Sequence, residues 1–216
     1  MDQTLFHLIN EQWTNPALDL FMAAISNVEI WKPLIALLVL ALLIFGGFKG
    51  RALVFCLALA LLVDTGITSG LKKFVDRRRP KQTERVRMVV LAKARPEFLA
   101  LFKPVQVRYS DASDRNRSGP SFPSGHVMNN ATIAIILAFF FRRWGWLYFF
   151  VAVAIAWSRV YLGAHWPSDV AATFFLAAGE TALLLALLES LYRWTMRRWA
   201  PQFFVRHPRL IGDAIA

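Results

Sequence analysis

The sequence predicts an all-α fold: a polytopic membrane helix bundle of five to six transmembrane helices with an N-terminal interfacial helix. Its 216 residues are 56% hydrophobic and 18% charged, and their mean hydropathy is +0.43. Soluble domains are about 45–50% apolar and about 25% charged, so both departures indicate a membrane protein. Because the polar residues gather in one central stretch, we predict a single domain over residues 1–216.

Five apolar segments approach the length of about 20 residues that one helix needs to cross a bilayer. Along the chain, these predicted spans cover residues 27–48, 52–71, 124–141, 144–164 and 168–192. The preceding residues 4–26 mix apolar and polar side chains, which favours interfacial helices on the membrane surface. A sixth, shorter crossing in this amino-terminal segment is the alternative.

The distribution of basic residues predicts how the bundle is oriented. With five spans, the amino terminus and residues 72–123 lie on one face of the membrane. The opposite face carries basic residues in short loops and a tail, namely Lys49, Arg51, Arg142, Arg143, Arg193, Arg197, Arg198, Arg206 and Arg209. By the positive-inside rule this opposite face is cytoplasmic. We therefore expect a multi-pass protein of a bacterial inner membrane whose segment 72–123 faces the periplasm.

Net charge and cysteine content restrict the partners and cofactors. A net charge of +11 would suggest nucleic acid in a soluble protein, but in a membrane protein it favours anionic phospholipids and argues against nucleic acid. A single cysteine, Cys56, allows no intrachain disulfide and no thiolate cluster for a metal. The oligomeric state does not follow from the sequence.

The first polar motif, LKKFVDRRRP, follows the second predicted span and contains Lys72, Arg79 and Pro80. Seven residues are nearly two helical turns, so a continuous helix would place Lys72 and Arg79 on one face, about 10 Å apart. The two cations could then bind one anion. Alternatively, they extend to lipid headgroups, as basic residues beside membrane helices commonly do.

The second motif, SFPSGHVMNN, places Pro123, Ser124, Gly125 and His126 at the start of the third span. Free backbone N–H groups, the Ser124 hydroxyl and the positive end of the helix dipole would converge there, which suits a phosphate. Gly125 lets the backbone approach a ligand closely, and His126 can exchange a proton with it. An ordinary helix cap is the alternative.

The third motif, SRVYLGAHWPSD, joins the fourth and fifth spans and contains Arg159, His165 and Asp169. An arginine inside a membrane segment needs an anionic partner, either a carboxylate or a phosphate. Asp169 falls in the first turn of the next helix, from where its carboxylate could reach back to the His165 imidazole. That contact would leave the other ring nitrogen free as a nucleophile. A capping aspartate beside an interfacial histidine is the alternative.

Together the three motifs lie on one membrane face and supply two histidines, a carboxylate and three cations, a combination typical of phosphoryl transfer. Residues 72–80, 123–126 and 158–169 also resemble the three ordered signatures of the type 2 phosphatidic acid phosphatases. The third matches the family spacing in full: SR, five residues, H, three residues, D.

The resemblance implies a role for each motif residue. His165 would attack phosphorus to form a phosphohistidine, Asp169 would assist it, and His126 would protonate the departing oxygen and later activate water. The phosphate oxygens would be held by Lys72, Arg79, Ser124, Gly125 and Arg159. The resemblance implies neither a metal ion nor another cofactor.

We therefore expect a membrane lipid phosphatase that removes the terminal phosphate of an envelope lipid phosphate or pyrophosphate. Lipid A 1-phosphate and undecaprenyl pyrophosphate are favoured, because the basic segment 85–117 suits a headgroup with several phosphates, and phosphatidylglycerol phosphate is a further candidate. That segment could form a short amphipathic helix on the outer membrane surface and shape entry to the site. Simple attraction of its basic residues to anionic bilayer lipid is the alternative. A lipid-to-lipid phosphotransferase and a non-catalytic lipid binder or transporter are the alternatives.

Two carboxyl side chains fall inside predicted spans, Asp64 in the second and Glu180 in the fifth. An ionisable group at that depth is costly unless it is paired or neutral. We expect interhelical hydrogen bonding or burial in protonated form, with a role near the lipid path as the alternative.

Overall fold

The structure is a computed structural model that describes residues 1–116 and 119–211. Most of these residues are helical. In chain order the helices are α1 (Asp2–His7), α2 (Pro16–Ser26), α3 (Val28–Phe45), α4 (Gly47–Val75), α5 (Pro80–Thr83), α6 (Ala112–Asn116), α7 (Gly125–Phe140), α8 (Tyr148–Tyr161), α9 (Pro167–Trp199) and α10 (Pro201–Arg206). The strands are β1 (Arg87–Val90) and β2 (Gln106–Tyr109).

Five of these helices, α3, α4, α7, α8 and α9, correspond to the five predicted spans, and the prediction of a membrane helix bundle is confirmed. The stretches Val28–Phe45, Gly47–Thr83 and Pro167–Trp199 are long and apolar enough to cross a bilayer. Helix α7 is shorter, with 16 residues, and a helix rises about 1.5 Å per residue, so α7 is about 24 Å long. The number of crossings remains a prediction.

Small side chains let the central helices approach closely. Helix α7 lies in the middle of the bundle and packs against α4, α8 and α9. Its buried Ala131 and Ala134 carry only a methyl group, as does Ala177 on α9. In a membrane the hydrophobic effect does not drive helices together. Their association therefore usually depends on close approach of their backbones at small residues.

Hydroxyl and carboxyl groups link the same three helices inside the bundle. Thr132 on α7 donates a hydrogen bond to Oδ1 of Asp64 on α4 at 3.2 Å, and Thr181 on α9 donates to Thr132 at 3.1 Å. All three side chains are buried. The expectation of interhelical hydrogen bonding is therefore confirmed for Asp64. Glu180 lies within electrostatic reach of Asp64.

The amino-terminal segment packs against the rest of the chain. Helices α1 and α2 are joined by a π-helical turn, Leu8–Gln12, and bury Phe6, Ile9 and Met22. The buried Asn10 amide donates hydrogen bonds to the carbonyl oxygens of Tyr161, at 2.7 Å, and Arg87, at 2.9 Å. The short helices therefore cover one end of the bundle in addition to any contact with the membrane surface.

The basic segment after α5 differs from the expected amphipathic helix. Its ends form an antiparallel pair of strands in which Arg87 lies opposite Tyr109 and Val90 opposite Gln106, and a 3-10 helix, Glu97–Phe102, lies between them. The runs RMVV and QVRY explain the difference, because they contain valine and tyrosine, and β-branched and aromatic residues favour strands. Arg117, at the end of this segment, lies outside the described residues.

Candidate active site

Four helix ends meet at one end of the bundle: the carboxyl ends of α4 and α8 and the amino ends of α7 and α9. The three sequence motifs occupy these ends and the loops next to them. Helix α9 begins at Pro167, whose fixed φ and missing N–H suit a first helical position. The fold thus brings the predicted site residues to one end of the molecule.

His165 lies on the tight turn between α8 and α9. The turn is closed by the N–H groups of Ala164 and His165, which both donate to the Arg159 carbonyl, at 3.0 and 3.2 Å. Gly163 adopts a φ of +70°, and a Cβ there would lie 2.9 Å from a Val86 methyl group, so only glycine fits this position. The turn therefore holds the His165 ring in one place.

The surroundings of the His165 ring keep it neutral. The side chain is only 2% exposed, and this burial, together with the nearby charges of Arg79 and Arg159, holds the pKa of His165 well below its usual value of 6.5. Its Nε2 lies 3.5 Å from a guanidinium nitrogen of Arg79, and its Nδ1 lies 3.5 Å from the Ser121 hydroxyl. A neutral imidazole has a lone pair available for attack on phosphorus.

Asp169 reaches the histidine indirectly, which corrects the expected direct contact. Its Oδ2 accepts hydrogen bonds from the Ser121 hydroxyl at 2.5 Å and the Trp166 backbone N–H at 3.1 Å, and its Oδ1 accepts one from Arg77 at 2.6 Å. The Ser121 hydroxyl therefore stands between the carboxylate and the His165 ring. Asp169 is the third residue of α9 (position N3), and a carboxylate at this position commonly accepts a hydrogen bond from the N-cap backbone N–H of its own helix. This capping contact explains the geometry.

Sequence reasoning missed three residues of this network: Ser121, Arg77 and Asp2. Arg77 also donates to Asp2 at 2.6 Å, so one guanidinium joins two carboxylates. Ser121 and Arg77 lie inside the quoted motifs, where a polar or charged side chain close to the motif residues was the available signal. Asp2 gave no signal, since its partner is 75 residues away along the chain.

Lys72 and Arg79 come from different elements, contrary to the expected continuous helix. Helix α4 ends at Val75, and Asp76 adopts a left-handed conformation with a φ of 39°. The chain then turns, and Arg79 precedes α5. The Arg79 guanidinium is held by the carbonyl oxygens of Gly119, Pro120 and Ala164, at 2.9, 3.3 and 3.2 Å.

The start of α7 leaves a buried hydroxyl group without a partner. Ser124 is fully buried, yet its hydroxyl makes no helix-capping hydrogen bond and has no partner among the described residues. Its backbone N–H donates to Thr173 at 3.1 Å. Since most buried polar groups are hydrogen-bonded, an ordinary cap does not explain this serine. At Gly125 a Cβ would contact only Thr68, at 3.8 Å, so the glycine leaves open space beside the hydroxyl.

Arg159 and His126 complete the group. The Arg159 guanidinium donates to the Ser26 hydroxyl, while its Nε is buried without a hydrogen-bond partner among the described residues. The His126 side chain is exposed at the start of α7. Lys72, Arg79 and Arg159 all lie close enough to both imidazoles to interact electrostatically with each.

The described residues contain no group of three or more His, Cys, Asp or Glu side chains arranged to hold a metal ion. What the site offers instead is positive charge: guanidinium and ammonium groups, a buried hydroxyl and the amino end of α7. These donors match the oxygens of a phosphate group. Fold and site together define a membrane helix bundle with a cluster of cationic side chains at one end.

Comparison with known proteins identifies the family. The family model of the PAP2 superfamily matches residues 51–193, well over half of the chain. The chain therefore belongs to the PAP2 superfamily, as its resemblance to the type 2 phosphatidic acid phosphatases indicated.

Curated relatives show what the chain resembles. It is 30% identical over 164 residues to a lipid A 4'-phosphatase of Bacteroides thetaiotaomicron, an alignment that covers 73% of this chain and 64% of that protein. It is 41% identical over 59 residues to an undecaprenyl-diphosphatase of Sulfolobus acidocaldarius, covering 27% of this chain and 29% of that protein. The chain thus spans less than two thirds of the length of either relative.

Solved structures share the fold. The crystal structure of Aquifex aeolicus LpxE matches with a TM-score of 0.59 at 24% identity, covering 86% of this chain and 94% of that chain. A PAP2-type phosphatidylglycerolphosphate phosphatase from Bacillus subtilis matches with a TM-score of 0.55 at 22% identity, covering 86% of this chain and 85% of that one. The arrangement of helices is therefore that of membrane PAP2 proteins.

Proposed function

We propose that this protein is a membrane lipid phosphatase that hydrolyses the terminal phosphate of an envelope lipid phosphate or pyrophosphate. One observation carries the proposal: a buried, neutral His165 imidazole lies next to the fixed Arg79 guanidinium. A half-buried cation and a neutral nucleophile in contact suit an anionic, electrophilic group better than any apolar ligand. The buried Ser124 hydroxyl supports the same ligand.

In the proposed first step, His165 Nε2 attacks phosphorus, because Nδ1 faces the Ser121 hydroxyl and Nε2 faces the Arg79 guanidinium. An N–P bond forms, the bond from phosphorus to the leaving oxygen breaks, and His126 gives that oxygen a proton. Asp169, acting through Ser121, holds the Nδ1 proton in place.

In the second step, water attacks the phosphohistidine and gives a proton to His126. The N–P bond breaks, inorganic phosphate leaves, and His165 returns to its neutral form. Lys72, Arg79, Ser124, Gly125 and Arg159 would bind the phosphoryl oxygens in both steps. Their charge stabilises the transition state, in which negative charge spreads over those oxygens.

The proposed substrates follow the curated relatives, which are named for lipid A and for undecaprenyl diphosphate. Phosphatidylglycerol phosphate is a third candidate, from the name of a solved structure with the same fold. We place the site at the periplasmic face of a bacterial inner membrane, because the basic loops and tail lie at the other end of the bundle. The protein is proposed to work as one domain over residues 1–216.

Phosphate release tests the proposal. The purified protein in detergent micelles should release inorganic phosphate from lipid A, undecaprenyl pyrophosphate or phosphatidylglycerol phosphate with EDTA present. His165→Ala should lower the rate by about 10³-fold or more, since the nucleophile is lost. The control His7→Ala removes a histidine outside the motifs and should retain activity. EDTA-sensitive release would contradict the mechanism.

Labelled phosphate separates hydrolysis from the alternatives. Hydrolysis predicts that a label on the terminal phosphate appears in solution as inorganic phosphate. Label recovered in a second lipid would indicate a phosphotransferase, in which another lipid replaces water in the second step. Tight lipid binding without turnover would indicate a binder or transporter, and either result would contradict the phosphatase proposal.

A further inference from the structure

A cavity of about 750 Å³ lies far from the candidate active site. Its wall includes the last residues of α7 and residues 182–193 of α9, whereas the active-site residues lie at the first turns of the same helices. Helix α7 alone separates the two ends by about 24 Å. The cavity is therefore independent of the phosphate site and opens at the opposite face of the bundle.

The inside of the cavity is apolar. Phe139 and Phe140 at the end of α7, Leu185 and Ala186 on α9, and Ile211 from the carboxyl-terminal segment all line it. Ala186 is exposed, and its side chain is a single methyl group. Such a wall suits an acyl chain, because moving a hydrocarbon chain from the bilayer to a surface of similar polarity has little free-energy cost.

Positive charge surrounds this apolar wall. The cavity is also lined by five basic residues, Lys49, Arg142, Arg143, Arg193 and Arg209. Its lining contains one acid, Glu189, which accepts hydrogen bonds from the backbone N–H groups of Leu210, at 3.0 Å, and Ile211, at 3.1 Å. Glu189 therefore anchors the carboxyl-terminal segment that forms one side of the cavity, and the basic residues outnumber it.

We propose that this cavity binds one anionic phospholipid of the leaflet opposite the candidate active site. Arg142, Arg193 and Arg209 bind the headgroup phosphate, and one acyl chain lies against Phe139 and Ala186. Charge complementarity selects the occupant, since basic pockets between membrane helices suit anionic headgroups. A free phosphate would leave the apolar wall bare, and a zwitterionic lipid would bring its own cationic group next to the basic side chains of the cavity. The volume is within the usual range of small-molecule sites.

Lipid retention in native mass spectrometry tests the proposal without using phosphatase activity. The purified full chain is offered equal amounts of dioleoyl phosphatidylglycerol and dioleoyl phosphatidylcholine, which share acyl chains and differ in charge. Phosphatidylglycerol is a phosphodiester, so it carries no terminal phosphate for the proposed reaction. The wild type should retain phosphatidylglycerol over phosphatidylcholine. Equal retention of both lipids would overturn the proposal.

Two matched pairs of variants locate the bound lipid. The double variant Arg142→Gln/Arg193→Gln should lower the preference for phosphatidylglycerol by about tenfold. Its control, Arg51→Gln/Arg198→Gln, removes the same charge from the same face outside the cavity lining and should leave the preference within about twofold. Equal losses in both double variants would show attraction by charge alone and would overturn the proposal.

Filling the cavity separates the acyl chain from the headgroup. Ala186→Phe keeps every charge but occupies the apolar wall, so it should reduce retention of phosphatidylglycerol, whereas Leu187→Phe, on the neighbouring exposed position, should not. Unchanged retention in Ala186→Phe would overturn the proposal. Displacement of the lipid by an equal concentration of glycerol 3-phosphate would overturn it too, by showing that a free anion suffices.

Discussion

The chemistry of His165 depends on what surrounds its ring. Burial and the two neighbouring guanidinium groups disfavour the protonated form, which moves the pKa of His165 well below 6.5. The imidazole therefore stays neutral as the pH falls through 6.5, where an exposed histidine would gain a proton. Activity that needs the neutral ring should persist into mildly acidic solution and disappear only at lower pH.

Removing one of those cations should shift the acidic limit, that is, the pH below which activity is lost. Arg79→Gln deletes a charge that opposes protonation of His165, so the pKa of the histidine should rise and kcat/KM should decline at a higher pH than in the wild type. The measurement is kcat/KM as a function of pH for both proteins with the same substrate. Ionisation of the substrate then affects both profiles equally and does not alter the difference between them. The control Arg78→Gln lies next to Arg79 but is not among the groups that shift His165, and its limit should not move. An unchanged limit in Arg79→Gln would contradict this account.

The hydroxyl of Ser121 is predicted to orient His165. Ser121→Ala removes the group between Asp169 Oδ2 and His165 Nδ1. We expect kcat to decrease by about tenfold to hundredfold, as activity does when a metal-ligating histidine loses the partner that orients it. Ser121→Thr restores the hydroxyl and should recover most of the activity. A loss mainly in KM, or no recovery with threonine, would contradict a positioning role.

At the level of elements, the polar link between α4, α7 and α9 predicts a specific stability effect. Asp64→Ala removes the acceptor of the buried Thr132 hydroxyl and should destabilise the bundle by about 1–3 kcal/mol. Asp64→Asn keeps an acceptor oxygen and should cost less. Thermal unfolding in detergent with a fluorescent reporter measures both, and equal effects of the two substitutions would contradict the hydrogen-bond explanation.

The sequence predicts helices better than it predicts the loops between them. Apolar runs predicted the positions of five helices, because a helix that crosses a bilayer needs a long stretch of apolar residues. The motif residues Lys72, Ser124 and Arg159 were predictable as neighbours because each lies at a helix end on the same face. The path of the chain after Val75 could not be predicted, because a single residue in the left-handed conformation, Asp76, turns the chain away from the helix axis.

The network around Asp169 shows a second limit of sequence reasoning. Spacing alone placed Asp169 within reach of His165, but which donors a carboxylate accepts depends on every loop that comes near it. Ser121 and Arg77 approach from loops that precede α7 and follow α4, respectively. The hairpin of β1 and β2 was missed for a similar reason, because its two strands are separated by 15 residues and pair only in the folded chain.

At the scale of the whole molecule, the two ends of the bundle differ in construction. At the candidate active-site end, three distant parts of the chain, α1 to α2, the hairpin and the carboxyl end of α8, pack into one apolar cluster that includes Phe6, Val86 and Tyr161. At the other end, the carboxyl-terminal segment is held by Glu189 and by the Tyr192 hydroxyl, which donates to the His207 carbonyl. The candidate active-site end is thus built from three separate parts of the chain, whereas the other end is closed by its carboxyl-terminal segment.

Asn10 is the polar centre of the active-site end. Its amide donates to the carbonyl oxygens of Arg87 and Tyr161, and its Oδ1 accepts the Arg87 N–H at 3.1 Å, so one side chain joins the amino terminus, the hairpin and α8. The side chain is fully buried. Asn10→Ala would therefore leave three backbone groups without their partner in a place that water reaches poorly.

We expect Asn10→Ala to destabilise this end by about 2 kcal/mol and lower the Tm by about 5 °C, with faster protease cleavage near the amino terminus. Because Arg77 also binds Asp2, a loosened amino terminus should weaken the support of Asp169 and lower kcat more than it raises KM. Thr14→Ala, which loses only a solvent-exposed hydrogen bond to the Glu11 carbonyl, is the matched control and should change neither Tm nor kcat appreciably. A lower Tm with unchanged kcat would show that the amino-terminal cover supports the fold but not the proposed chemistry.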